Sequence, residues 1–174
     1  MHFFDKFGIL FVPDGTKKGR VIMEKIASFQ INHDTLLPGM YVSRVDGDVI
    51  TYDVRFVRPN TPPYLPTAAM HTIEHLVATY VRNSALGDGI IYFGPMGCRT
   101  GLYFLTRGID HADAIALMRE AMAFTAAFEG DIPGASQVEC GNWLEHDLPE
   151  AKRLAAAQAA VLEGYAVERL EYPK

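Results

Sequence analysis

Residues Thr67–Arg82, TAAMHTIEHLVATYVR, are the stretch around which the rest of the chain is organised. The apolar residues recur with the period of a helix, so we predict a helix over 67–82 with Thr67 as its N-cap. His71 and His75 are four residues apart, which places both imidazoles on one face, one turn from each other. Such a pair can bind one metal ion, and Glu74 projects near the same face, where a carboxylate can move protons.

The composition is that of an ordinary soluble globular protein and excludes several other classes. The chain has 174 residues, 49% of them hydrophobic and 21% charged, which is enough for one domain with its own core. The net charge of −5, without a dense Lys/Arg cluster, argues against a nucleic-acid partner. No apolar run approaches the roughly 18 residues of a membrane span. Two cysteines without a convincing signal peptide are interpreted as free thiols in a reducing compartment, so we expect the cytoplasm.

The first 22 residues differ from the rest and are interpreted as an extra N-terminal segment. Lys17-Lys18-Gly19-Arg20 can be encoded almost entirely by purines, as a translated bacterial ribosome-binding site would be, which suggests Met23 as the natural start. The alternative is a genuine N-terminal arm. Mass spectrometry of the protein made from its own gene distinguishes a start at Met23 from a genuine N-terminal arm. Residues 23–174 are expected to be one catalytic domain.

The remaining elements predict an α+β fold. Three strands are expected before the motif helix, at 26–31, 41–45 and 49–57, the last two joined by a hairpin at Asp46-Gly47-Asp48 and followed by a Pro-rich loop at 59–66. Strands are expected at 90–93 and 102–106 around a Gly-rich turn, then helices from Asp110 to about Phe128 and from Glu150 to Glu163. The order predicts a single-domain layer fold, an antiparallel β-sheet covered by α-helices on one face.

A catalytic metal site needs a third protein ligand besides the two histidines. Cys98, Cys140, Glu139 or another carboxylate could provide it, and both cysteines sit beside glycine in predicted loops. One thiolate with two imidazoles suits zinc, cobalt or ferrous iron. The thiol left over would have a lowered pKa near the cation and could exchange protons.

Other polar residues are less informative by themselves. Arg55 and Arg99 are candidates for holding an anionic substrate group, because guanidinium pairs well with carboxylate. The remaining histidines are interpreted as surface or capping residues: His2, His111 and His146.

Several motifs together resemble the S-ribosylhomocysteine lyase (LuxS) family, from about Ile26 to Leu162. The matching pieces are SFQINH at 28–33, YDVRF at 52–56, MHTIEHL at 70–76, PMGCRTG at 95–101 and Cys140-Gly141. Each piece is weak alone, but the combination at these distances is highly specific.

The resemblance implies a homodimer with active sites at the subunit interface and one divalent metal ion per subunit. Fe²⁺ is the implied native ion, with Zn²⁺ or Co²⁺ as alternatives. It also implies three groups of site residues: the metal ligands His71, His75 and Cys140, the acid/base pair Glu74 and Cys98, and the substrate-site residues Ser28, His33 and Arg55.

The implied reaction cleaves S-ribosylhomocysteine to homocysteine and 4,5-dihydroxy-2,3-pentanedione by successive carbonyl migrations and β-elimination. The second product is the precursor of autoinducer-2, which would connect the enzyme to the methyl cycle and to quorum sensing. One departure from the family pattern is Tyr92, where a carboxylate is expected to hold the homocysteine amine. Asp88 or Glu139 could hold that amine instead.

Two other interpretations fit parts of the sequence. A small H-x-x-E-H metallopeptidase would use Glu139 as its third ligand, but it leaves Cys98 unexplained. A non-catalytic zinc-binding module would need four protein ligands and would recruit Cys98 as the fourth. Replacing Cys98 with Ala distinguishes the three interpretations. A lyase should lose turnover but keep its metal, a peptidase should remain largely active, and a structural zinc module should lose its metal.

Overall fold

A computed structural model describes residues 10–12, 20–22 and 25–173, which fall into two units, Met1–Ile31 and Asn32–Lys174. In the first unit, β1 (Leu10–Val12) pairs antiparallel with β2 (Arg20–Ile22). Most of the predicted extra segment 1–22, and the proposed start Met23, lie outside the described residues.

The strand predicted at 26–31 is wrong. Residues Ala27–Phe29 form a 3-10 turn, in which the Phe29 N–H donates to the Ile26 carbonyl at 2.9 Å. Ile26 and Phe29 are both exposed, so the apolar alternation there does not mark a buried strand face.

The second unit is an α+β fold, as predicted, built on a four-stranded antiparallel sheet of order β3-β4-β6-β5. The strands are β3 (Gly39–Asp46), β4 (Val49–Arg55), β5 (Ile90–Pro95) and β6 (Gly101–Arg107). The helices are α1 (Thr67–Arg82), α2 (His111–Ala127) and α3 (Leu148–Val161). None of the helices in the described ranges is both long and apolar enough to cross a membrane.

The sheet has a tight turn between β3 and β4 and two irregular outer strands. Gly47 adopts φ +62° between β3 and β4, which explains why glycine occupies the predicted turn. The pairing register shifts between Val42 and Arg44 in β3, and between Ile90 and Tyr92 in β5. The inner strands β4 and β6 pair without a break.

The two faces of the sheet differ because side chains alternate along each strand. Met40, Tyr52, Val54 and Phe104 point into the core, which they share with buried residues of the three helices. On the opposite face, Tyr41 stands across from Asp53, which stands across from Tyr103. Arg55, two residues after Asp53, lies on that same face, so the helices cover one face and polar side chains occupy the other.

The predicted bounds of α1 are correct, but its predicted cap is wrong. Pro66 occupies the N-cap position with extended backbone, and no side chain caps the helix. The Thr67 hydroxyl instead donates to Glu145 Oε1 at 2.8 Å, a contact across 78 residues that local sequence does not reveal. The other two helices begin at conventional caps, because Asp110 accepts from the Asp113 N–H and Asp147 accepts from the Glu150 N–H.

Gly101→Ala is expected to lower the free energy of unfolding by about 1–3 kcal/mol. A Cβ at Gly101 would lie 2.5 Å from the Val54 carbonyl oxygen of β4, where strand backbone cannot give way easily. Urea unfolding at matched metal content measures the change. Gly97→Ala in the same turn is the control, because a Cβ there meets open space. Equal midpoints for the two variants would contradict the prediction.

Candidate metal centre and thiol cluster

Helix α1 presents His71 and His75 side by side. Their ring centroids are 4.6 Å apart and the rings are nearly perpendicular. The opposite side of the helix is buried in the core through Ile73, Leu76 and Val77. The two histidines therefore point away from the core. Both histidines are half-buried.

Backbone carbonyls set the tautomer of both imidazoles. His71 Nδ1 lies 2.8 Å from the Glu145 carbonyl oxygen, and His75 Nδ1 lies 2.7 Å from the Pro133 carbonyl oxygen. Because a carbonyl can only accept, each Nδ1 carries the hydrogen and donates it. The Nε2 lone pair of each ring is therefore free for a metal ion, the usual arrangement of metal-binding histidines.

Cys140 brings its sulfur to the same place from the loop before α3. Its Sγ is 3.3 Å from His71 Nε2, and the Asn142 N–H donates to that Sγ at 3.4 Å. The loop is shaped locally, since the N–H groups of Glu139 and Cys140 both donate to the Ser136 carbonyl. The structure thus brings together the three residues expected to be ligands.

His146 is a fourth member of the cluster, and its interpretation as a surface or capping residue was wrong. Its ring is stacked on His71 with centroids 4.2 Å apart. The Thr72 hydroxyl donates to the Ala68 carbonyl, so His146 Nδ1, 3.2 Å away, must be the donor to Thr72. His146 Nε2 is buried and has no hydrogen-bond partner among the described residues. Burial, together with His71 and His75, lowers the pKa of His146 and keeps the ring neutral.

The donor set fits a divalent transition metal. Ligand atoms of His71, His75, Cys140 and His146 all lie within 4.8 Å of one another. A tetrahedral ion with bonds of about 2.0–2.3 Å holds its ligand atoms about 3.3–3.8 Å apart, so a small contraction of the group would close it on one ion. Imidazole with thiolate suits zinc, cobalt or ferrous iron. The orphaned Nε2 of His146 adds a buried acceptor that a metal site would explain.

Glu74 lines two shallow depressions beside this cluster. One, of about 410 Å³, includes His71, His75 and Gly134, and the other, of about 430 Å³, includes Arg82 and Tyr92. Burial raises the pKa of Glu74 against the opposing effect of the two histidines. A half-buried carboxyl with a raised pKa can both accept and return a proton.

Cys98 belongs to a different cluster. It lies in the turn between β5 and β6, which is closed by the Met96 N–H bonded to the Gly101 carbonyl. Its Sγ is 3.1 Å from the Thr100 hydroxyl and 3.9 Å from Arg55 Nη1. Burial alone would raise the pKa of Cys98, but the hydrogen bonds of Thr100 and the charge of Arg55 outweigh it, so the pKa is lowered. The exposed thiol therefore ionises more readily than an unperturbed cysteine.

Arg55 is held on both sides of its guanidinium group. Nη1 donates to the Thr100 hydroxyl, and Nη2 donates to Asp53 Oδ2 at 2.5 Å. Arg55 is 3% exposed and Asp53 is 1% exposed. Burial would lower the pKa of Arg55, but Asp53 raises it, so the group is a permanent cation beside Cys98.

Arg55→Met is expected to slow alkylation of Cys98 about tenfold at neutral pH. Losing the cation moves the pKa of the thiol upward, and one pKa unit is a factor of ten in thiolate fraction well below that pKa. The rate of iodoacetamide labelling of Cys98 against pH, measured on the peptide by mass spectrometry, provides the test. Arg58→Met is the control, because Arg58 is exposed and bonded to the Asp34 carbonyl. Superimposed profiles for Arg55→Met and wild type would refute the role of the cation.

The other expected site residues are more scattered. His33 is half-buried before β3, and Ser28 is half-buried in the 3-10 turn of the first unit. The remaining candidates are exposed: Asp88, Tyr92, Arg99 and Glu139. Burial and the neighbouring Glu74 raise the pKa of Tyr92.

Neither alternative ligand expected from the sequence is in the metal cluster. The Ser136 hydroxyl donates to Glu139 Oε2 at 2.5 Å, and Glu139 is not one of the grouped donors, contrary to the metallopeptidase interpretation. Cys98 is also outside the group, contrary to the zinc-module interpretation. Sequence reasoning also missed Asp53, Thr72 and Thr100, whose partners are mostly distant in the chain.

Comparisons with known proteins show which family the chain is similar to. The family model described as S-Ribosylhomocysteinase (LuxS) matches residues 26–167. The chain is 48% identical over 159 residues to the S-ribosylhomocysteine lyase of Clostridium acetobutylicum, covering 87% of this chain and 100% of that protein. It is 55% identical over 139 residues to that of Clostridium beijerinckii, covering 76% and 87%. It is 48% identical over 158 residues to that of Phocaeicola vulgatus, covering 87% and 98%.

Proposed function

Because the chain belongs to the S-ribosylhomocysteinase (LuxS) family, we propose that it cleaves S-ribosylhomocysteine to homocysteine and 4,5-dihydroxy-2,3-pentanedione. The relatives named as lyases support the substrate. The observation that carries the proposal in this chain is the donor cluster of α1 and Cys140, with the Glu74 carboxyl beside it and a separate activated thiol at Cys98.

His71, His75 and Cys140 are the proposed ligands of one divalent ion per subunit, natively Fe²⁺, with Zn²⁺ or Co²⁺ able to replace it. When bound, the ion supplies a Lewis acid that polarises the substrate carbonyl. The residues present fit such an ion, because the Nδ1 atoms of both helix histidines are already committed to carbonyls. His146 stacks on His71 and adds a fourth donor atom to the group.

Glu74 and Cys98 are the proposed acid/base groups. Each carbonyl migration removes the proton from the carbon beside the carbonyl and returns one to the former carbonyl carbon, while a hydroxyl proton moves between the two oxygens. Two such steps take the carbonyl from C1 through C2 to C3. Removal of the C4 proton then forms a C4–C5 double bond as the C5–sulfur bond breaks, and homocysteine leaves as a thiolate that takes up a proton. The remaining enol gains a proton at C5 and loses its C4 hydroxyl proton, which gives the dione. The pKa of the Glu74 carboxyl is raised and that of the Cys98 thiol is lowered, so both pKa values move towards neutral pH, as proton exchange requires.

Ser28, His33 and Arg55 are proposed to line the substrate site in a homodimer whose active sites lie at the subunit interface. This follows from the family resemblance of these positions. Residues 23–174 are the proposed catalytic domain, in line with the match over 26–167, and the two free thiols favour a cytoplasmic location. Release of the pentanedione would make the enzyme a source of autoinducer-2 for quorum sensing, and homocysteine would return to the methyl cycle.

The test is homocysteine release from S-ribosylhomocysteine by anaerobic protein loaded with Fe²⁺ or Co²⁺, with both products identified chromatographically. We expect release that depends on the metal and is lost when a chelator removes it. Metal-replete wild type that releases no homocysteine would refute the proposed substrate. Attention would then turn to Tyr92, where the family pattern is expected to have a carboxylate.

A further inference from the structure

The chain beyond α3 is anchored against the sheet. The Tyr165 hydroxyl is hydrogen-bonded to both the N–H and the carbonyl of Met40 on β3, at 3.1 and 2.8 Å. The Arg169 guanidinium lies over the Tyr165 ring at 4.1 Å, and Leu170 is buried. These contacts fix the path of the chain just before Tyr172.

Tyr172 reaches the polar face of the sheet. Its ring stacks on Tyr41, with centroids 5.0 Å apart and planes 14° from parallel. Its hydroxyl donates to Asp53 Oδ2 at 2.9 Å. Burial, followed by the charge of Asp53, raises the pKa of Tyr172, so the phenol keeps its proton and remains a donor.

The carboxylate that Tyr172 contacts is the same one that holds Arg55. Asp53 Oδ2 accepts from both Tyr172 and Arg55 Nη2. Asp53 Oδ1 and Arg55 Nε are buried without a hydrogen-bond partner among the described residues. With so few other partners, the Tyr172 hydroxyl is a substantial part of the environment of this ion pair.

The hydrogen bond affects Cys98 through charge. Arg55 lies between Asp53, which attracts it on the Nη2 side, and the Cys98 and Thr100 pair on the Nη1 side. A donor on Asp53 disperses its negative charge, which leaves more of the Arg55 positive charge effective at the sulfur. Among the titratable and charged groups, Arg55 on β4 and Tyr103 on β6 interact with the thiol, and Arg99 follows it in the turn. Asp53 and Tyr172 interact with Arg55 in turn.

We propose that Tyr172 is a positioning residue that acts through Asp53 and Arg55 to maintain the reactivity of the Cys98 thiol. Its importance for turnover rests on the proposed function, in which Cys98 exchanges protons with the substrate. Tyr172 lies beyond the residues 26–167 that the family model matches.

The test compares alkylation of Cys98 in Tyr172→Phe and wild type, both as full-length Zn²⁺-loaded protein. Tyr172→Phe keeps the ring on Tyr41 and removes only the hydroxyl. Iodoacetamide labelling of the Cys98 peptide, followed by mass spectrometry from about pH 5 to 9, gives the thiol profile. We expect a midpoint at higher pH and labelling about threefold slower at neutral pH. Tyr80→Phe is the matched control, because that ring packs on Phe124 in the helical layer.

Coinciding profiles for Tyr172→Phe and wild type would overturn the proposal, even if Tyr172→Phe lowered turnover for another reason. A shift in Tyr80→Phe as large as that in Tyr172→Phe would overturn it as well, since the effect would then be a general loss of stability. Equal Zn²⁺ content in all three proteins confirms that the fold is retained. Labelling needs no substrate, so the Cys98 profile can be interpreted even if the protein has no lyase activity.

Discussion

Cys98→Ala is expected to lower homocysteine release by about 10²–10⁴-fold while leaving the metal content unchanged. Losing a positioned acid/base group costs about that much in rate. The metal is retained because the Cys98 sulfur pairs with Thr100 and Arg55 and is not one of the grouped donor atoms. Initial rates with S-ribosylhomocysteine and metal analysis of the same preparation measure both quantities.

Two outcomes would contradict this expectation in different ways. Loss of metal from Cys98→Ala would mean that Cys98 completes a closed metal site. Retention of both metal and full turnover would remove Cys98 from the proton transfers. Arg58→Met, a change at an exposed side chain, is expected to retain both and serves as the control.

Cys140→Ala is expected to weaken metal binding by more than about a hundredfold and to abolish turnover with it. Removing even a residue that supports a ligand costs about 10–100-fold in affinity, and Cys140 supplies the only sulfur among the grouped donors. Competition with a chromogenic chelator at fixed pH gives the affinity.

Cys98→Ala provides the matched cysteine control for this experiment, since it should lose turnover but keep the metal, whereas Cys140→Ala should lose both. Cobalt-loaded protein adds a spectroscopic check, because a thiolate-to-cobalt absorption band should disappear in Cys140→Ala and persist in Cys98→Ala. Undiminished affinity in Cys140→Ala would exclude the sulfur as a ligand and leave the three histidines as the metal site.

The predictable parts of the fold were those with a strong local pattern. The helix at 67–82 was correct at both ends, and the hairpin through Gly47 was correct, because periodicity and turn chemistry act within a few residues. The strand expected at 26–31 is wrong, because a short apolar alternation without a buried face does not determine a strand. Thr67 failed as a cap because its hydroxyl found a tertiary partner, Glu145.

The predictable parts of the site were those carried by motifs. His71, His75 and Cys140 were expected together and lie together. The sequence favours a surface or capping role for His146, because no motif includes it, and its stacking on His71 reveals its place. Tyr172 and Asp53 are 119 residues apart, and no local pattern indicates such a contact.

The irregular outer strands of the sheet restrict how this protein can associate with other chains. An intact sheet edge presents a row of unpaired N–H and carbonyl groups on which another strand can assemble, a common route to aggregation. Here β3 is interrupted by its register shift at Val42/Arg44, and β5 by its own shift at Ile90/Tyr92 and by Pro95, which has no N–H to offer. An added strand would meet an interrupted row of hydrogen-bonding groups at either edge, so neither edge offers a long continuous ladder for strand addition.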